Sequence, residues 1–466
     1  MKHIAVAFLF LGVAVWAQDT QSTAIQDVDA EPVVAPQPEY GGPAILTRGG
    51  APSVSRSGSL ANLRPFVTLN GIYDSGLTGT TDPLGRLSSA YGVESTFGLS
   101  ANHAWKRSSL ALEYRGAFRH YSKNTYYDGM DNNLRLTYLR EFSSRLSLQV
   151  DQSASRAQHP FSLPFSTYYS SGLYNYDPTY TGLAANDLVD APTTVLMSRA
   201  RMVYQYTARM SVSFAGSGFM VRRENQGLVG TSGYMASGDV AYRLSRYQTI
   251  SFDYSFGHFD FQRIFGQSDM HGVGVNYSVR LGRRWEVSLA AGGMRVESLS
   301  LGKVALDPQV AQLLGQGYGI SKRYFTNYLP RYGAHLTRAF RRASMSLGYD
   351  RSVLPGNDLF KTSVSESANA GFSYVGLHRW RFDAGVGYGQ YSALTQSLGR
   401  YRNLFGSANF AYQLGKGVSA VGRFDGRRYA IHHLDLQIAP QNLLPQDAQL
   451  QFGQAIAQAT MDAEAE

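Results

Sequence analysis

Residues able to do covalent chemistry are thinly spread along this 466-residue chain. There is no cysteine, which excludes thiol catalysis, a disulfide framework and a lipid-modified cysteine anchor. Of ten histidines only His432 and His433 are adjacent, and neighbours on a strand point to opposite faces, the wrong offset for two ligands of one metal. His120, Tyr121 and Ser122 put a base and a hydroxyl close together, but no oriented acid or oxyanion device accompanies them. The glycines of "GVGYG", Gly385 to Gly389, lack the strand-to-helix context of a phosphate loop. No catalytic residue, metal site or cofactor is therefore expected.

What remains is charge laid out with a period of two. Glu113, Arg115 and Arg119 alternate with Leu112, Tyr114 and Phe118, Asp253 falls between Phe252 and Tyr254, and Asp383 between Phe382 and Ala384. Arg199, Arg201 and Arg280 occupy equivalent places among Val, Leu and Met. With Glu94, Asp151, Asp239 and Asp350 against Arg135, Arg243 and Arg381, the two signs nearly balance. The first expectation is that these charges pair across an enclosed space and hold a wall in shape. The second is an ion-selective lining, with Arg115, Arg119, Arg199 and Arg201 as an anion ladder, because rings of one sign set permeation.

Long alternating strands must position these residues. Ile250, Phe252, Tyr254 and Phe256 oppose Ser251, Asp253, Ser255 and Gly257, and runs of 12 to 15 residues follow this pattern repeatedly from Arg64 onward. Short basic turns punctuate them at Lys106, Arg145, Arg209, Arg246, Arg283, Arg341, Arg379 and Lys416, mostly 37 to 39 residues apart. That interval holds two strands, a tight turn and a longer loop, which is a hairpin repeat. Two longer intervals mark enlarged loops at His159 to Pro192 and Ser300 to Lys322, the second with Asp307 as a helix N-cap.

A soluble barrel of so many strands would have a lumen too wide for apolar side chains to fill. Turned outward, the apolar faces meet lipid, and the polar faces line a wet interior. The fold expected is all-β: a transmembrane antiparallel up-and-down β-barrel of about eighteen strands, with sixteen as the alternative, over residues 61–438. The last strand is sought in "HLDLQI".

Residues 1–17 read as a signal peptide. A basic start at Lys2 and His3, an apolar run from Ile4 to Trp16 too short to span a bilayer as a helix, and a small-residue end at Ala17 make the pattern. Residues 18–60 form a Pro-, Gly- and Ser-rich leader expected to be disordered in the periplasm, and residues 439–466 a polar acidic tail. The net charge of +9 sits largely in the tight turns, which weakens a nucleic-acid reading.

The signal, the hairpin repeat and the aromatic-rich alternation together resemble Gram-negative outer-membrane β-barrel proteins over residues 64–431. Within that class, "YGGPAILTRG" before the barrel and "ALDPQVAQLLG" in a loop look like features of barrels associated with exopolysaccharide secretion. The resemblance implies a bacterial outer-membrane protein surrounded by lipid, with periplasmic polysaccharide-export components as partners. A monomer is favoured, and no nucleic acid is involved. Tyr168, Tyr169, Tyr174, Tyr176 and Tyr180 of the first enlarged loop offer flat faces for sugar rings, or else pack on one another near the headgroups. The function expected is passage of exported polysaccharide or small hydrophilic solutes. A filled structural or adhesive barrel and an outer-membrane lipid hydrolase are the rivals.

Overall fold

A computed structural model of the chain describes residues 4–16, 62–74, 90–122, 128–158, 191–224, 228–263, 265–305, 307, 309, 312, 317–357, 360–377, 379–394, 400–415 and 418–432. In chain order the strands are β1 (Ile4–Trp16), β2 (Asn62–Asp74), β3 (Ala90–Ala104), β4 (Ser108–Tyr121), β5 (Gly129–Glu141) and β6 (Leu146–Ala157). There follow β7 (Thr193–Gln205), β8 (Met210–Arg223), β9 (Gly230–Arg243), β10 (Gln248–Gln262), β11 (Gly266–Leu281) and β12 (Trp285–Ala305). The last six are β13 (Tyr318–Ala339), β14 (Ala343–Asn357), β15 (Phe360–Tyr374), β16 (Trp380–Ala393), β17 (Arg400–Gly415) and β18 (Val418–His432).

From β2 to β18 each strand pairs antiparallel with the next, so the chain runs up and down through one sheet. An odd number of alternating strands leaves β2 and β18 pointing the same way. β1 lies between them and is antiparallel to both, with Val13 opposite Leu69 on one side and Ala420 on the other. The sheet thus has eighteen strands, as the alternating pattern predicts, but the eighteenth place is held by Ile4–Trp16. The stretch "HLDLQI", expected to supply it, lies beyond His432 and outside the described residues, as do the leader and the tail.

The basic turns are tight hairpin loops. Trp105 N donates to Ser108 O at 2.7 Å around Lys106 and Arg107, and Phe340 N to Ala343 O at 2.7 Å around Arg341 and Arg342. Elsewhere a hydroxyl organises the turn: Thr207 Oγ1 accepts from Arg209 N at 3.2 Å and Met210 N at 3.0 Å, a side chain standing in for a backbone acceptor. Gly282 adopts φ of 66° between β11 and β12, where a residue with a Cβ is strained. The second enlarged loop is shorter than its sequence suggests. β12 continues to Ala305 and β13 starts at Tyr318, because alternation persists through both arms, and Asp307 Oδ1 accepts from Gln309 N at 2.9 Å as the cap expected there.

One seam breaks the regular wall. The β13–β14 ladder stops at Tyr332 and Arg351, although β13 continues paired to β12 up to Tyr318 and β14 continues paired to β15 up to Asn357. β14 also approaches β9 within 8 Å between Cα atoms, far from its place in the strand order. An apolar cluster fills the space between: Phe219 and Val221 of β8, Phe259 of β10, Met270 of β11, Met294 and Val296 of β12, and Val353 of β14. An interior expected to be uniformly wet is packed with hydrocarbon at the long-loop end.

Candidate functional site: the inner face of the wall

Each strand divides its residues by parity, because successive side chains leave opposite faces. On β10, Phe252 is 59% exposed and Ser251 1%. Leu69, Val93, Phe214, Val273 and Leu289 share the exposed face with Phe252, while Thr96, Ser213, Thr249, Ser278 and Ser288 are buried on the other. On β16 the outward positions between Trp380 and Tyr388 are Phe382, Ala384 and Val386, aliphatic or small residues between aromatic ends. Trp105, Phe142, Tyr206 and Tyr247 are exposed near the tight turns, and Tyr73, Tyr91 and Tyr234 towards the long loops. Two aromatic belts flanking an apolar band are what a bilayer requires of a barrel's outer surface.

The chain is a membrane-spanning β-barrel.

Inside it, charges pair closely. Arg119 is buried between Glu94, whose Oε2 lies 2.6 Å from its Nε, and Asp131. Asn70 Nδ2 and Thr96 Oγ1 donate to the remaining Glu94 oxygen at 3.1 and 3.3 Å, and Gln158 N donates to Asp131 at 2.7 Å. Nearby in the sheet, Arg423 and Asp425 of β18 are 2.5 Å apart. On the other side Asp253 accepts from Arg331 Nη1 at 2.7 Å and from Asn276 Nδ2 at 2.8 Å. Asp239 takes Ser213 as hydrogen-bond donor and has Arg201 at 3.9 Å. Asp151 accepts from Thr137 Oγ1 and Gln149 Nε2, both at 2.8 Å, with Arg135 at 3.6 Å. Closer to the turns, Arg280 meets Glu286 at 3.5 Å and Arg381 meets Asp383 at 2.9 Å.

The residues singled out in the sequence thus separate into groups. Glu113, Arg115, Arg119, Arg199, Arg201, Asp253, Arg280 and Asp383 all carry inner-face parity. Arg119 is neutralised between two carboxylates, so it braces the wall and cannot serve as a rung of an anion ladder. Arg115 and Glu113 lie further down β4, Glu113 exposed and Arg115 half-buried. Tyr168, Tyr169, Tyr174, Tyr176 and Tyr180 lie outside the described residues. Asp131, Asn276 and Arg331 are members that sequence reasoning passed over. Arg331 shares parity with Leu329 and Gly333, which marks it as inward, but nothing in the sequence joins it to Asp253 three strands away. Among the described residues no group of three or more His, Asp or Glu side chains is placed to hold a metal ion.

No protein-family model matches the chain, and no curated protein matches it. Solved structures do. The FrpB iron transporter from Neisseria meningitidis superposes with a TM-score of 0.41 at 8% identity, over 78% of this chain and 68% of that one. OpdQ of Pseudomonas aeruginosa gives 0.33 at 10% identity, over 92% and 96%, and OccAB4 of Acinetobacter baumannii 0.34 at 8%, over 92% and 98%. Likeness at this level says nothing of solute or activity.

Proposed function

We propose that this barrel is a passage through a bacterial outer membrane for small hydrophilic solutes. The observation that carries the reading is the inner face. Hydroxyl, amide and charged side chains line it between the tight turns and the apolar cluster at the long-loop end, and Arg280 and Arg381 stay half exposed, so water reaches the inside of the wall. A wall of the seventeen strands β2 to β18, with or without β1, is wide enough to leave an aqueous channel. The mechanism is passive: solute moves along fixed dipoles and paired charges without covalent chemistry. In this reading residues 1–17 direct export, the tight turns face the periplasm, and the protein works as a monomer. Arg283, Arg284, Arg341 and Arg342 then offer a basic rim to an acidic periplasmic partner, such as a polysaccharide-export component.

Export of a polysaccharide is the second reading. Tyr324 and Tyr328 of β13 are the observation that favours it: each is 76% exposed on the outward face at the long-loop end, where a polymer leaving the rim would meet a flat face suited to a sugar ring.

Purified full-length protein in planar bilayers tests both readings. A small, flickering conductance is expected, enlarged and steadied by removing residues 162–188. A deletion variant that folds to a heat-modifiable barrel and carries no current would overturn the passage and leave a filled structural barrel.

A further inference from the structure

We propose that the β14–β15 hairpin above Arg351 is a hinged gate with two seats: the one observed, folded across the lumen, and another in which β14 zips onto the edge of β13 that no described strand pairs. The proposal rests on the reading of the barrel as a passage, and it names the element that opens and shuts it.

The hairpin is one body. β14 and β15 stay in register from Ala343 and Tyr374 to the tip at Asn357 and Phe360, so what leaves β13 leaves as a pair of strands. Its departure is visible in its side chains. Met345, Leu347 and Arg351 continue the outward parity of β14, and Arg351 pairs outward with Glu366 of β15 at 2.9 Å. Val353 and Val364 are the next residues of that parity, and alternation alone assigns them to lipid. Both are buried. Val353 packs with Phe259, Met270, Met294 and Val296, which project from the inner face of β10 to β12. Thr362 Oγ1, of the same outward parity, lies 2.8 Å from Ser268 Oγ on the inner face of β11. The outer face of the hairpin therefore covers the inner face of the wall, as in a rolled scroll, and the hairpin occupies the lumen where a solute would pass.

A second seat is built into the register. Extending the ladder from Tyr332 and Arg351 would place Arg331 opposite Ser352, Pro330 opposite Val353, Leu329 opposite Leu354 and Tyr328 opposite Pro355. Every parity then matches: Val353 and Val364 rejoin the outer surface, and the edge of β13 that now bears the exposed Tyr324 and Tyr328 gains a neighbour. The zipped ladder is weak for a stated reason. Pro330 and Pro355 have no N–H to donate, and a proline is tolerated in a sheet where its nitrogen faces an open edge, which assigns both to the seam. The inward seat buries Val353 and Val364. The outward seat satisfies backbone groups but lacks two donors. Opposing gains of this kind leave two conformations close enough in free energy for a solute or the membrane to shift the balance.

The chain lacks cysteine, so introduced thiols are the only ones present. Ser268→Cys with Thr362→Cys locks the inward seat. Leu329→Cys with Leu354→Cys captures the outward one, where the pair occupies a non-hydrogen-bonded position with Cα atoms about 4.5 Å apart, inside the roughly 4.4 to 6.8 Å range of disulfides. Full-length variants, checked for heat-modifiable folding, are scored for disulfide by thiol alkylation and for current in planar bilayers, before and after reduction. Both pairs are expected to cross-link. The inward lock should lower conductance at least tenfold and reduction should restore it, while the outward lock should conduct more, and more steadily, than its reduced form. If Ser268→Cys/Thr362→Cys cross-links and Leu329→Cys/Leu354→Cys never does, the hairpin has one seat and the proposal falls. Equal, non-zero currents from both locks would also overturn it, since a moving hairpin would then not gate. If both pairs cross-link but no form conducts, the two seats stand and the passage reading fails.

Discussion

Arg331 Nη1 lies 2.7 Å from Asp253 Oδ2, joining β13 to β10 across the inside of the wall with two strands between them. Both side chains are nearly buried, and Asn276 supplies a further donor to the same carboxylate. From sequence alone Asp253 sits on a wet face where asparagine would be mild. The structure gives a reason to expect more, because an amide at this position removes the charged partner 2.7 Å from the Arg331 guanidinium. Asp253→Asn should lower stability by about 1.5 to 3 kcal/mol, the range for hydrogen bonds to charged groups. Urea midpoints of folding into lipid vesicles measure it, and a loss below about 0.5 kcal/mol, the level of ordinary surface substitutions, would show that the contact is not a brace.

Arg119 is more deeply committed. Removing one member of a buried ionic group leaves the others charged and unpaired, so Arg119→Met should cost about 3 to 5 kcal/mol. Neutralising a carboxylate as well should help: Arg119→Met with Glu94→Gln is expected to be more stable than Arg119→Met alone. A double variant no better than the single one would mean that Glu94 is not held by Arg119.

The lipid face has its own test. Phe252→Arg places a charge on the apolar band and should cost roughly 2 to 4 kcal/mol if the residue lies near the bilayer midplane. Phe252→Leu, which keeps the face apolar, should fold nearly as well as the wild type in the same vesicles. Similar behaviour of the two variants would remove Phe252 from the lipid-facing surface.

Strands such as β4, β10 and β16 could be read directly from the sequence because one solvent on each face enforces a period of two, and the hairpins because basic pairs recur between them. Partners across the lumen could not be read, since Asp253 and Arg331 lie 78 residues apart and parity says only that both point inward. The seam was hidden for a sharper reason. Val353 and Val364 obey the outward pattern while packing inward, so their pattern misleads, and only Pro330 and Pro355 hint at the break. Ile4–Trp16 is ambiguous by nature: a short, wholly apolar run has no periodicity to separate an export signal from a strand. Intact mass of protein taken from outer membranes decides between them. A start at Gln18 is expected, and β2 and β18 must then close the wall without β1. A start at Met1 would make β1 a permanent strand.

Restoring the missing donors should move the gate. Pro330→Val and Pro355→Val each return an N–H to the seam, at positions that the extended register pairs with Val353 and Tyr328. Neither change adds bulk to the apolar cluster formed by Val353, Val296 and Phe259, so the inward seat gains nothing comparable. Each restored hydrogen bond is worth about 1 kcal/mol, and two together should shift the equilibrium between seats by about twentyfold to thirtyfold, since about 1.4 kcal/mol is a factor of ten. The double variant should therefore spend longer in the conducting state and raise the yield of the Leu329→Cys/Leu354→Cys disulfide when combined with it. A prediction in the opposite direction comes from Tyr328→Pro, which removes an N–H that the extended register directs at Pro355 and should disturb the outward seat and lengthen closures. Open times that do not change in the double variant would mean that backbone pairing at this seam does not set the position of the hairpin.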